Sequence, residues 1–156
     1  MSIVCSKYTI TGLALAGLFA GSALAADLEV ASPWVRGTVA AQKATGAFMQ
    51  LSSKGGVSIV GAASPAADIV EVHEMTMVDN VMKMRAVPRL DVQPGKPLEF
   101  KPGSYHMMLI GLKKPLAKGE RVPLTLKVEG RDRKVESVEV LAEVRDLTAP
   151  AMEHRH

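Results

Sequence analysis

Residues 73–84 read HEMTMVDNVMKM, with His or Met at every second position on each side of a central Asp79-Asn80 pair. Side chains of a β-strand alternate between its two faces, so each half of this segment places its His and Met on one face. If Asp79-Asn80 forms a two-residue hairpin loop, residue 75 pairs with 84 and residue 77 with 82. The segment therefore predicts a hairpin with one imidazole and four thioethers on a single face.

A second segment with the same side chains follows Met84 after 21 intervening residues. His106 and Met108 lie two positions apart in the apolar run 105–112, which predicts a strand. We expect this strand to dock over the hairpin, so that two nitrogens and several sulfurs meet at one point. Imidazole and thioether are neutral ligands, and thioethers select soft ions such as Cu(I). The two segments together predict a Cu(I) site.

Packing is the alternative interpretation for each methionine, because Met is a flexible side chain that often fills cores. We expect Met49 to be a core residue, and Met77 and Met82 to pack or to line the site. The histidines differ, since an imidazole on an apolar sheet face needs partners for its nitrogens. The repeated placement of His beside Met therefore favours a metal site.

Residues 1–25 have the features of a secretory signal peptide. Lys7 is the only charged residue before Asp27, an apolar run follows it, and Ala23-Leu24-Ala25 fits the cleavage rule. The run is short for a membrane span, and Cys5 precedes it instead of lying at a lipoprotein cleavage site. We expect export to the periplasm, cleavage near Ala25, and no membrane insertion of the mature chain.

Cleavage would remove Cys5, the only cysteine, and with it any thiolate ligand, disulfide or cysteine nucleophile. A blue-copper electron-transfer protein needs a cysteine thiolate, so that class is excluded. The formal net charge of +3 is too small to favour nucleic-acid binding. The chain contains neither G-x-S-x-G nor H-E-x-x-H, and we expect no enzymatic activity.

The roughly 130 residues after position 25 suit a single domain. Short apolar or alternating runs, separated by Gly, Pro, Asn and Asp, predict many strands and no long helix. The predicted strands are 28–39 (interrupted at Pro33), 45–51, 57–62, 69–78, 81–87, 105–112, 122–128 and 135–144. This pattern predicts an all-β sandwich or Greek-key fold whose strand order stays open.

The spacing of the two segments resembles a known motif. His73, ten residues, Met84, twenty-one residues and His106-x-Met108 resemble the metal motif of the periplasmic copper chaperones called PCu(A)C. The early sequences S-P-W-V-R and T-G-A-F-M, and the later K-P-G-S-Y-H-M-M-L-I-G-L, are similar to that family as well. The resemblance covers nearly the whole mature chain.

Membership of this family would imply a single cupredoxin-like Greek-key β-sandwich over residues 26–148. It would imply one Cu(I), held by His73, Met84, His106 and Met108, with Met75 as a neighbour or substitute ligand. It would also imply copper delivery to the dinuclear centre of cytochrome c oxidase subunit II, or exchange with a thiol-bearing copper assembly protein. A periplasmic copper storage or resistance protein could use the same ligands and remains the alternative.

Residues 149–156 form a predicted flexible tail that contains Met152, His154 and His156. An ordinary disordered terminus is one interpretation. The other is an auxiliary site, and imidazoles on a mobile tail suit Cu(II) better than Cu(I). The sequence leaves both interpretations open.

Overall fold

The computed structural model describes residues 26–146, which form ten β-strands and no helix. This range accordingly contains no apolar helix of membrane-spanning length. The predicted signal peptide, the last two residues of the predicted domain and the tail lie outside the described residues. The strands are β1 (Glu29–Arg36), β2 (Ala44–Ser52), β3 (Val57–Ala63), β4 (Ala67–Val78), β5 (Val81–Ala86), β6 (Leu90–Val92), β7 (Leu98–Phe100), β8 (Tyr105–Leu112), β9 (Arg121–Glu129) and β10 (Val135–Arg145).

The strands form one sheet in the order β5-β4-β8-β7-β2-β1-β10-β9-β3-β6. A further pairing, between Ala62 of β3 and Val70 of β4, joins strands from the two ends of this order. The sheet therefore folds back on itself as a sandwich, in which many neighbouring strands are distant in the sequence. The all-β Greek-key sandwich that we predicted is confirmed.

Alternation along the strands builds the core between the two layers. In β9, Val122, Leu124, Leu126 and Val128 are buried, while the residues between them are exposed or half-buried. Burying such a side chain fully stabilises the fold by about 1.5–3 kcal/mol. Met49 is 3% exposed, which confirms its predicted place in the core.

Two departures from the predicted strands have local causes. Strand β1 continues through Pro33, because the register shifts between Ala31 and Trp34 and Ser32 adopts a positive φ of 49°. Such a bulge accommodates a residue without an N–H. Strands β6 and β7 were missed, since three residues are too few to show alternation and they lie in a proline-rich region.

The β4–β5 hairpin has the predicted register, with Met75 opposite Met84 and Met77 opposite Met82. Both loop residues, Asp79 (φ 51°) and Asn80 (φ 63°), have positive φ, as a type I′ turn requires. Every residue of β5 is exposed, and β5 ends the sheet. The position of β5 therefore depends on this turn and on pairing with β4.

Replacing Asn80 by isoleucine should loosen β5, because a β-branched residue in the left-handed region costs about 1–2 kcal/mol. We expect faster amide hydrogen exchange in β5 and unchanged exchange in β9. Asn80→Gly, which tolerates positive φ, is the matched control and should exchange like the parent protein. Equal β5 exchange in the Ile and Gly variants would show that the turn does not hold the hairpin.

Candidate metal centre

The predicted donor residues lie on one face of three adjacent strands, β5, β4 and β8. His73 is directly opposite His106, Met75 is opposite Met84, and Met108 is opposite Glu71. Opposed residues of antiparallel strands project to the same face. The structure therefore brings the side chains of His73, Met84, His106 and Met108 together on one face, with Met75 among them.

We expected the strand that carries His106 to dock over the hairpin, and this prediction is wrong. β8 lies beside β4 in the same sheet and pairs with it from Ala67–Leu112 to Glu74–Tyr105. β4 pairs with β5 along one edge and with β8 along the other. This arrangement puts the two imidazoles on neighbouring strands. The donor groups consequently project from a single sheet face.

His106 is buried, with 7% of its surface exposed, and its ring has two contacts. Nδ1 lies 3.2 Å from the carbonyl oxygen of Ser104. A carbonyl only accepts hydrogen bonds, so Nδ1 carries the proton and Nε2 of the neutral ring holds a lone pair. Nε2 lies 3.2 Å from Sδ of Met84. Two electron-pair donors, 22 residues apart in the chain, thus face each other.

Burial lowers the pKa of His106 below its ordinary value of 6.5. The hydrogen bond to Ser104 opposes this lowering of the pKa, while the electrostatic effects of His73 and Arg36 add to it. The neutral ring therefore predominates at neutral pH. Neutral imidazole is the form that can bind a metal ion.

His73 is held by a carboxylate that the sequence analysis did not identify. Its Nε2 lies 2.9 Å from Oε2 of Glu71, two residues earlier on the same face. An ionised carboxylate accepts, so in the neutral ring Nε2 donates and Nδ1 holds the lone pair. Nδ1 is buried and has no hydrogen-bond partner within residues 26–146. A carboxylate bonded to the other nitrogen is the usual support of a metal-binding histidine.

An open depression of about 370 Å³ covers this face. Met75, Met84, His106 and Met108 line it, together with Arg36 of β1 and Gly46 and Phe48 of β2. The Phe48 ring lies 6.3 Å from the His106 ring and 4.5 Å from that of Trp34. A side chain at Gly46 would lie 2.9 Å from the Phe48 ring, so glycine leaves room for it.

Arg36, Gly46 and Phe48 were not predicted as site residues. The family resemblance could have identified them, because they belong to S-P-W-V-R and T-G-A-F-M, the two early sequences that resemble the copper chaperones. Their connection to the centre follows from the pairing of β2 with β8, which places Gly46 opposite Met108. The sequence alone does not reveal that pairing.

A polar row on the opposite face joins the same three strands. Glu74 accepts hydrogen bonds from Arg85 of β5 (3.0 and 2.8 Å) and from the Tyr105 hydroxyl of β8 (2.9 Å). The hydrogen bonds from Arg85, and next the one from Tyr105, hold the pKa of Glu74 below its ordinary value. This row fixes the spacing of the strands directly behind the two imidazoles.

Comparisons with known proteins identify the family. Residues 28–142 match the profile of a family described as "Putative lipoprotein LpqE-like", which is of the PCu(A)C type. The chain belongs to the PCu(A)C family. The family predicted from the residues is thereby confirmed. A curated relative, "Putative lipoprotein Lxx21020" of Leifsonia xyli subsp. xyli (strain CTCB07), is 30% identical over 101 residues. That match covers 64% of this chain and 61% of the relative, so it spans about three fifths of the relative's length.

Solved PCu(A)C structures share the fold. The solution structure of apo-DR1885 from Deinococcus radiodurans is 27% identical, with a TM-score of 0.60 over 97% of this chain and 100% of that one. The solution structure of CuI-DR1885 from the same organism is 32% identical, with a TM-score of 0.57 over 80% and 83% of the two chains. The copper-bound PCuAC domain from PmoF2, at 19% identity and TM-score 0.62 over 77% and 93%, supports the fold alone. The predicted cupredoxin-like sandwich is confirmed.

In the metal-free protein, His106 should titrate below pH 6.5, because burial disfavours its charged form. As the pH falls, the unfolded chain is protonated at this residue before the folded chain is. The contribution of neutral His106 to stability is therefore complete above about pH 6.5 and is lost as the pH falls through the folded-state pKa. NMR of the ring Cε1–H group against pH measures this pKa, and His106→Gln assigns the signal. A midpoint at or above 6.5 would contradict the burial argument.

Proposed function

We propose that this protein binds one Cu(I) through His73, Met84, His106 and Met108 and carries it to an acceptor protein. The observation that carries the proposal is the 3.2 Å contact between Nε2 of His106 and Sδ of Met84. Two lone pairs that face each other repel, whereas a cation bound to both atoms replaces the repulsion with two bonds. Bonds of about 2.0 Å to nitrogen and 2.3 Å to sulfur, as in zinc sites, at a tetrahedral angle separate N and S by about 3.5 Å, so the required adjustment is small.

The remaining ligands follow from the same sheet face. Nδ1 of His73 is buried without a hydrogen-bond partner in residues 26–146, and because Nε2 donates to Glu71, Nδ1 holds the lone pair of the neutral ring. Met108 adds a second sulfur. Two nitrogens and two sulfurs without charge favour a soft monovalent ion over Cu(II). Met75, opposite Met84, is a neighbour that could substitute for it. The 32% identical DR1885 is described in a Cu(I) form, which supports the choice of ion.

Two properties of the centre suit transfer instead of permanent retention. Met84 is 48% exposed, so a partner could approach one ligand directly. Neutral thioethers should also bind Cu(I) less tightly than thiolates do, so that transfer to a thiolate-bearing acceptor is downhill. We propose the dinuclear copper centre of cytochrome c oxidase subunit II as the final acceptor, directly or through a thiol-bearing copper assembly protein. Storage or resistance in the periplasm, with the same ligands, is the second candidate.

Two parts of the proposal concern residues outside the described range. Export to the periplasm with cleavage near Ala25 is supported by the signal-like residues 1–25 and by relatives that carry lipoprotein names.

A second site, for Cu(II), is proposed at Met152, His154 and His156 in the tail. Truncation after Ala149 should remove a second Cu(II) equivalent, and retention of that equivalent would reject the tail site.

Met84→Leu and Met108→Leu should each weaken Cu(I) binding at least tenfold, which corresponds to about 1.4 kcal/mol. The exchange roughly conserves volume and should cost less than about 1.5 kcal/mol of folding stability. Anaerobic competition with a Cu(I) chelator measures the affinity, and thermal unfolding monitors the fold. Met107→Leu is the matched control, because Met107 is adjacent in sequence but fully buried. Unchanged affinity in both test variants would reject these ligand assignments.

Transfer distinguishes delivery from storage. We would mix the Cu(I)-loaded protein anaerobically with the metal-free soluble domain of oxidase subunit II, with and without a thiol-bearing assembly protein. The copper should move to the oxidase domain, and it should do so without the assembly protein if transfer is direct. Copper in each protein after separation is the measurement. Retention of the copper in both mixtures, with and without the assembly protein, would favour storage and reject delivery.

A further inference from the structure

Met77 and Met82 lie at the tip of the β4–β5 hairpin, beyond the proposed ligands. They are directly opposite each other, and 63% and 44% of their surfaces are exposed. Neither side chain packs in the core or lines the depression, so neither role expected from the sequence explains them. Because they lie two residues from Met75 and Met84, alternation puts all four thioethers on the same face.

The turn determines how closely these thioethers approach. Val78 and Val81 flank the two-residue loop, as the first and fourth residues of the β-turn, where a hydrogen bond joins the two strands. Hydrogen-bonded and non-hydrogen-bonded pairs alternate along an antiparallel ladder. Because Val78–Val81 is a hydrogen-bonded pair, the next pair, Met77–Met82, is a non-hydrogen-bonded one. In such pairs opposed Cα atoms lie about 4.5 Å apart and side chains are closest. Two steps further along the ladder, Met75–Met84 is a pair of the same kind.

The chemical surroundings of this pair also favour a soft cation. Three charged side chains of the hairpin, Glu74, Lys83 and Arg85, belong to the opposite face by alternation, whereas Glu71 lies on the thioether face beside His73 and Asp79 lies in the turn. No strand covers the outer edge of β5 within the described residues, so the two sulfurs are accessible from solvent. The tip thus presents neutral sulfur ligands next to Met84, with none of these three charged groups on that face.

We propose that Met77 and Met82 form a second Cu(I) site, with Met75 or Met84 as a third sulfur. This inference rests on the proposed function for the identity of the ion. The neighbouring thioether pair, Met75 and Met84, lies two residues further along the strands, a distance of about 6.6–6.8 Å. A soft monovalent ion at the tip therefore lies one ligand exchange from the principal centre. With fewer ligands and no nitrogen, the tip site binds more weakly than the principal centre.

Anaerobic titration of the full chain with Cu(I), followed by NMR of ¹³C-labelled methionine methyl groups, tests this site. The first equivalent should shift the methyl signals of Met84 and Met108, which tests the principal centre. The second equivalent should shift those of Met77 and Met82. In the double variant Met77→Leu/Met82→Leu, the first-equivalent shifts should persist, and Met75 and Met84 should show no second change.

The Leu variant separates metal binding from protein docking, since leucine keeps the apolar volume but lacks the sulfur. Val78→Leu/Val81→Leu is the matched control, because it alters the same tip on the opposite face and should retain the second set of shifts. Met77 and Met82 signals that stay unmoved through excess Cu(I), while Met84 and Met108 respond, would overturn the tip site and leave the principal centre intact. An absence of first-equivalent shifts would instead reject the proposed function.

Discussion

β4 pairs with β5 on one side and with β8 on the other, and its register against both strands places the donor atoms. In a β-sheet, a slip of one residue transfers every side chain of a strand to the opposite face. Such a slip between β4 and β5 would put either Lys83 or Arg85, depending on its direction, where Met84 now faces His106. The two-residue turn at Asp79-Asn80 prevents this on one side, and a long ladder with β8 prevents it on the other. The metal centre that we propose is thus a consequence of strand register.

The donor atoms are available because their neighbours settle which nitrogen carries the proton in each neutral ring. Glu71 and the Ser104 carbonyl each accept a hydrogen bond from one ring nitrogen, so in the neutral rings of His73 and His106 the other nitrogen holds the lone pair. Burial lowers the pKa of His106 and reinforces its neutral state. Arg36 lines the same depression, and its repulsion of a bound ion grows with the charge of that ion. These features together favour a monovalent metal over a divalent one.

Local patterns predicted the hairpin well and its surroundings poorly. Alternation around Asp79-Asn80 specified both the register and the face, because these depend on residues close in the chain. The placement of β8 beside β4 depends on which strand edges the whole fold leaves free, and no local pattern encodes that. Glu71 was missed for a related reason, since its role appears only once His73 has a defined rotamer. Phe48 and Arg36 reach the centre through the pairing of β2 with β8 and with β1.

The ligands of the proposed centre come from strands of very different stability. His106 belongs to β8, which pairs along much of its length with β4 and β2, and the adjacent Met107 and Leu109 are fully buried. Met84 belongs to β5, an exposed edge strand held by one turn, one ladder and the Glu74 row behind it. Local opening requires least free energy where buried contacts are fewest. Release of Cu(I) would therefore begin with the Met84 bond, while the imidazoles stay in place for the next ion.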